Sequence, residues 1–314
     1  MYRRFAHVEC AGTSPTYERL SLAVAEDDEM IDLLMQLPRA RRQPNLLLAA
    51  NRYLGGPSET WDGFREHVME RRVEIIGVLT TRTTQTNEPA RCAGLVAALA
   101  DIPGPVALVE VGSSAGLCLL PDRYSYSFGG RILGPRSRVH IEVSTTGDPP
   151  VADALPEITW RHGVDLSPLD VTVDDDVSWL RACIWPEHAV RRLRLNAACD
   201  TARVDPPLIA RGDLFDHVAS LLHTASHHGT PVLWHSAVLA YVPGDRRGEL
   251  ASIAASSGAV WISAEAPGVV EGPPAPELDP PPGTPTRAVF ELRRDRIPIG
   301  LMDPHGSWIR WFGT

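Results

Sequence analysis

Four segments of the chain place a carboxylate, a hydroxyl or an imidazole directly after a short apolar run, where open parallel sheets gather their ligands. The first is Glu110-Val-Gly112-Ser-Ser114-Ala-Gly116-Leu. Glycines at a strand-to-helix turn let the backbone approach a ligand closely, and the following helix N-terminus offers N–H groups to a carboxylate or phosphate. A tight turn that needs glycine for its own geometry is the alternative. The second is Gly163-Val-Asp165-Leu166-Ser-Pro168, whose carboxylate suits the two hydroxyls of a ribose or, alternatively, the cap of a helix. Asp165 lies about fifty residues beyond Gly112 where the dinucleotide fingerprint expects roughly twenty, so an insertion from Pro121 to Pro156 separates them. The third is Ile209-Ala-Arg-Gly212-Asp213-Leu214-Phe, and the fourth is Pro231-Val-Leu-Trp-His235-Ser-Ala-Val-Leu-Ala-Tyr241. A neutral imidazole at His235 is placed to take a proton from an O–H or N–H nucleophile; a buried, hydrogen-bonded histidine is the other reading. Tyr241 is a second candidate, or a packed aromatic.

A polar string, Gln85, Asn87, Glu88 and Arg91, precedes an apolar helix from Cys92 to Ala100. It either contacts a substrate or caps that helix, with Asn87 or Thr86 as the cap and Glu88 favourable in the first turn. The insertion carries a further cluster, Asp122, Arg123, Tyr124 and Tyr126. His223 and His227 share a helix face, but without a third ligand they do not predict a metal site. Gly112-Ser-Ser114-Ala-Gly116 also satisfies Gly-x-Ser-x-Gly, the nucleophile elbow of serine hydrolases. That reading recruits Ser114, Asp213 and either His235 or His305, but it needs several strands before the elbow.

The elements that position these segments divide at about residue 102. Before it the pattern is helical: Pro15 to Leu37, Leu46 to Leu54, and a helix capped by Ser58 running through Phe64, Val68, Ile75 and Leu79. Beyond it, strands are expected at Val106–Val111, Val139–Val143, Ile158–Val164, Leu208–Arg211, Val232–His235 and Ala259–Ala264. Helices are expected at Val177–Ile184, Glu187–Arg203, Leu214–Ser226 and Arg246–Ser256. The alternation predicts an α/β fold, a doubly wound, mostly parallel sheet. Eight prolines between Ala266 and Thr286 exclude helix or central strand there and predict an exposed loop. The end of the chain alternates and turns near Arg294 and Asp295, as a β-hairpin would.

Composition narrows the function. The 314 residues contain 30 Lys plus Arg, and all are arginine. Without lysine, Schiff-base catalysis and the phosphate-binding P-loop are excluded. The net charge of -9 gives no general attraction to nucleic acid or anionic lipid. Five cysteines without paired close spacing, and no apolar run of signal-peptide or membrane-span length, predict a cytoplasmic protein with reduced thiols.

Taken in order, the strand-end motifs resemble the class I S-adenosylmethionine-dependent methyltransferases over residues 104 to 314, which implies a Rossmann-like fold. The resemblance implies that Glu110, Gly112, Ser114 and Gly116 surround the methionine end of the donor. It implies also that Asp165 and Leu166 hold the ribose and that Asp213 and Leu214 border the adenine. Gln85-Thr-Asn-Glu88, Glu110-Val-Gly-Ser-Ser-Ala-Gly-Leu117, Asp122-Arg-Tyr124, Cys183-Ile-Trp-Pro-Glu187 and Trp234-His-Ser-Ala237 resemble the domain of unknown function 2332 family over nearly the whole chain. The resulting expectation is a helical cap, residues 1–102, over a methyltransferase-like domain, 103–314. A small molecule is then methylated on O or N, with Gln85, Asn87, Glu88, Arg91, Arg123 and Tyr124 at the substrate and His235 as base. A serine hydrolase and a non-catalytic nucleoside-binding or scaffolding protein are the alternatives.

Overall fold

The computed structural model describes residues 1–277 and 289–312. In chain order the helices are α1 (Tyr2–Phe5), α2 (Pro15–Val24), α3 (Asp28–Met35), α4 (Pro44–Tyr53), α5 (Trp61–Glu70) and α6 (Arg72–Thr81). They continue with α7 (Cys92–Leu99), α8 (Asp174–Cys183), α9 (Ala189–Val204), α10 (Leu214–Ala225) and α11 (Arg247–Ser256). The strands are β1 (Val106–Val111), β2 (Ser125–Phe128), β3 (Arg131–Leu133), β4 (His140–Thr146), β5 (Ile158–Asp165) and β6 (Ile209–Arg211). β7 (Thr230–Ser236), β8 (Val260–Glu265), β9 (Phe290–Arg294), β10 (Ile297–Met302) and β11 (Trp308–Trp311) complete the set. No helix among the described residues is long and apolar enough to cross a membrane.

The chain divides into two compact units, Met1–Thr86 with Thr172–Leu193, and Asn87–Val171 with Arg194–Thr314. This differs from a single break at residue 102 in two respects. α7 belongs with the sheet, because Gly94 lets it close on Met302 and Leu292, and α8 returns to the first unit, where Trp179 Nε1 donates to the Thr83 carbonyl at 2.9 Å.

The first unit is helical, and side chains punctuate it. Ser14 accepts from the Tyr17 N–H at the start of α2. Asp27 accepts from Met30 and begins α3, so the expected continuous helix from Pro15 to Leu37 is two helices. Thr60, not Ser58, caps α5 through the Gly63 N–H: the first helical residue is Trp61, and the N-cap is the residue before it. Arg82 ties α8 to this unit through Asp176 at 2.9 Å and through Asp175.

In the second unit the strand order is β3-β2-β4-β11-β10-β9-β8-β7-β1-β5-β6. The run β6-β5-β1-β7-β8 is parallel throughout, so the mixed α/β architecture with a large, mostly parallel sheet is as expected. Ala107, Val109 and Val111 of β1 pack with Val218 and Leu222 of α10 and Leu250 of α11. The alternate residues face the other side of the sheet. β9 and β10 form the anticipated hairpin, turning at Asp295 and Arg296.

The helix expected after the glycine loop does not form. Gly116 lies at φ 69°, and only four residues separate it from Pro121. Proline disfavours helix in the residue before it, so the chain makes two 3-10 turns, Leu117–Leu119 and Pro121–Arg123. The insertion then adds β2, β3 and β4 to the far side of the sheet. Residues 266–277 of the proline-rich segment form neither helix nor strand, and its remainder lies outside the described residues.

Candidate functional site

The tips of β1, β5 and β7 adjoin, because β1 pairs with both neighbours. Two non-glycine residues in this region hold left-handed backbone, Ser114 at φ 53° and Ala237 at φ 56°. Such strain persists where surrounding structure over-determines it, and it concentrates at functional sites. Asp165 closes β5. Its Oδ2 accepts the Ser114 N–H at 2.8 Å and its Oδ1 the Ser167 N–H at 2.7 Å. Asp165 is half-buried, and Leu166 beside it is 71% exposed. Asp213, at the tip of β6, caps α10 through the Phe215 N–H, and Leu214 is half-buried.

Glu110 is buried beneath the loop, on the face of the sheet opposite the α10 and α11 layer. Burial, then repulsion from Cys118 and Asp165, push its carboxyl well above the ordinary 4.5, against a smaller pull from Arg91. Its Oε2 is buried without a hydrogen-bond partner, as are the Ser113 and Ser114 hydroxyls and the indole N–H of Trp234. Trp234 is the cross-strand neighbour of Glu110. Uncompensated buried polar atoms cost about 1–3 kcal/mol each, so this cluster marks a place where water or a ligand would be stabilised.

The glycines have an internal explanation. A Cβ at Gly112 would collide with Val238, and one at Gly116 with Pro207. The loop is therefore tight because the protein packs against itself there, and a 3-10 turn rather than an α-helix N-terminus follows it. For a nucleoside-type donor, the half-buried Asp165 fits the ribose, the unpartnered polar atoms of Glu110, Ser113 and Ser114 lie buried beneath the loop, and the expected helix N-terminus makes no contribution.

His235 does not join this group. Successive strand residues face opposite sides, and Glu110 pairs with Trp234, so the His235 side chain enters the α10 and α11 layer. It is fully buried. Its Nδ1 lies 2.8 Å from Glu265 Oε1, and its Nε2 accepts the Trp261 indole N–H at 2.9 Å. Because indole only donates, Nε2 must be the acceptor and Nδ1 carries the proton. No lone pair is left for a nucleophile, which corrects the reading of His235 as a base. Glu265 also accepts the Val238 and Leu239 N–H groups. Burial acts to raise its pKa, but His235 and the two N–H donors outweigh it and hold the carboxyl below 4.5. Tyr241 is 82% exposed, so it is not a packed aromatic.

The polar string before α7 fastens the second unit together. Asn87 Oδ1 accepts the Leu117 N–H. Glu88 accepts the Ala90 N–H, pairs with Arg194 at 3.1 Å, and through its carbonyl receives the Cys118 thiol. Arg91 donates to the Pro304 carbonyl and to both oxygens of Ser236. Tyr124 is buried with its hydroxyl on the Leu117 carbonyl. Arg123 is an exposed residue paired with Asp122 and Asp205, and Gln85 belongs to the first unit. These placements give Glu88, Arg91 and Tyr124 structural partners within the fold. The expected cap roles of Asn87 and Thr86 pass to Glu88, which caps the turn leading into α7.

Sequence reasoning missed Glu265, Ser113, Arg194 and Trp234. Glu265 carries the same signal that singled out Glu110, an acidic residue ending an apolar strand, and was findable on that ground. His223 and His227 contact each other edge to face. Among the described residues no cluster of three His, Cys, Asp or Glu is placed to hold a metal ion, and none of the five cysteines is in a disulfide.

Fold and site together define an α/β protein with a mostly parallel sheet and a strained, polar cluster at its strand tips. The model of the domain of unknown function 2332 family, described as an uncharacterized protein conserved in bacteria, matches residues 1–311. The chain belongs to that family. No curated protein matches it.

Proposed function

We propose that the protein binds S-adenosylmethionine across the tips of β1, β5 and β6 and transfers a methyl group to an oxygen or nitrogen of a small molecule. Asp165 carries the reading. Each of its oxygens accepts one backbone N–H and keeps a further lone pair, so the carboxylate is pre-oriented for two vicinal hydroxyls. The exposed Leu166 offers an apolar surface to a base, and Asp213 at the neighbouring tip offers an acceptor. Burial pushes the Glu110 carboxyl well above its ordinary value, and with the unpartnered Ser113 and Ser114 hydroxyls it makes a polar floor beneath the loop. The donor supplies an electrophilic methyl group on a sulfonium; the protein contributes position and exclusion of water.

Calorimetric titration with S-adenosylmethionine and S-adenosylhomocysteine tests the reading. Binding is expected for the intact protein and a loss of at least tenfold in Asp165→Ala, consistent with hydrogen bonds to a charged group. Absence of binding, or equal affinity in the variant, overturns it.

The left-handed Ser114 favours one rival, the serine hydrolase elbow. Its catalytic constellation is not assembled: Ser114 Oγ has no hydrogen-bond partner, and His235 commits Nε2 to Trp261. A fluorophosphonate probe that labels Ser114 would favour the hydrolase.

A further inference from the structure

A cavity of about 410 Å³ lies between α11 and the segment Val269–Glu271. Its size falls within the range of small-molecule sites, which are mostly apolar with a few placed polar groups. Leu239, Trp261 and Val270 give it apolar walls, and its charged lining residues are two arginines, Arg247 and Arg296, against one acid, Glu271. Among the described residues neither arginine forms an ion pair. Arg247 commits only its Nε, to the Val242 carbonyl, and Arg296 only its Nε, to the Glu271 carbonyl.

Arg296 supplies a second observation. It occupies the hairpin turn between β9 and β10 at φ 73°, after Asp295 at φ 47°. Such turns favour Asn or Gly at these positions, because a left-handed residue with a Cβ costs about 1–2 kcal/mol. An arginine is held here in that conformation, at a cavity that it helps to line.

We propose that this cavity binds a small amphipathic carboxylate, with the acid group on Arg247 and Arg296 and an aliphatic tail against Leu239, Trp261 and Val270. Two free guanidinium forks match a carboxylate, and the walls behind them match a chain without polar atoms. The site shares no lining residue with the strand-tip cluster, so it stands or falls independently of methyl-donor binding.

Octanoate is the probe, titrated calorimetrically into the full chain, with octan-1-ol as the uncharged control. Saturable octanoate binding is expected, at least tenfold tighter than that of octan-1-ol. Arg247→Gln and Arg296→Gln should each weaken it roughly tenfold, the scale of a lost charge-assisted hydrogen bond. Ala251→Phe, which fills the cavity, should abolish it, and Asp165→Ala should leave it unchanged. Circular dichroism confirms folding of each variant. Octanoate binding no tighter than that of the alcohol, or insensitive to both arginine substitutions, overturns the proposal, as does an absence of saturable binding.

Discussion

His235→Ala separates a core histidine from a catalytic one. The substitution removes a fully buried ring together with its bonds to Glu265 at 2.8 Å and Trp261 at 2.9 Å. The Trp261 N–H is then a buried donor without an acceptor, which costs about 1–3 kcal/mol. The vacated ring volume adds a cavity cost of about 2–3 kcal/mol on the scale of large-to-small core substitutions. Glu265 keeps the Val238 and Leu239 N–H groups, so its charge is not stranded. The expected destabilisation is about 3–6 kcal/mol, a large fraction of ordinary domain stability. Guanidinium unfolding near neutral pH, followed by far-ultraviolet circular dichroism, measures it. Trp261→Phe removes the N–H together with part of the buried ring and should cost about 2–3 kcal/mol, and the double variant should show the two changes to be coupled. A loss below about 1 kcal/mol in His235→Ala, with the fold intact, would refute the assignment of His235 to the core.

Gly112→Ala should destabilise the protein by about 2–4 kcal/mol, since it adds a left-handed alanine and a collision with Val238; Val238→Ala in the same chain should recover part of the loss in thermal unfolding. Glu110→Gln bears on stability above pH 4.5. The folded carboxyl holds its proton above 4.5 while the unfolded one releases it, so stability of the native chain falls as pH rises from that value towards the folded pKa. The glutamine variant should lack this slope and gain stability at neutral pH, as read by unfolding across a pH series. Glu265 acts in the opposite sense: its lowered pKa stabilises the fold above 4.5 and that contribution is lost as pH falls through the folded value, so Glu265→Gln should flatten the acid limb. Thr60→Ala should cost about 1 kcal/mol by removing the α5 cap.

Local pattern accounts for much of the architecture. Continuous apolar runs located β1, β7 and β8, because strands buried on both faces admit little else. The alternation around Arg294 and Asp295 located the hairpin. β2 and β3 escaped notice because they are short and lie within an insertion, and the edge strand β3 exposes Arg131 and Ile132. The lack of a helix after Gly116 was legible in Pro121, but the glycine motif outweighed it.

The sequence alone determined that this chain builds strands and helices in alternation, without lysine chemistry, and that acidic residues end several of its strands. Which of those residues meet was decided by register. Glu110 aligns with Trp234, so His235 turns into the opposite layer and finds Glu265, a residue 30 positions away. Likewise Asn87, Glu88 and Arg91 read as a ligand-facing string, and tertiary packing commits them to Leu117, Arg194, Ser236 and Pro304. Side-chain chemistry is written locally, whereas the partner that satisfies a buried polar group is fixed only when distant strands are brought side by side.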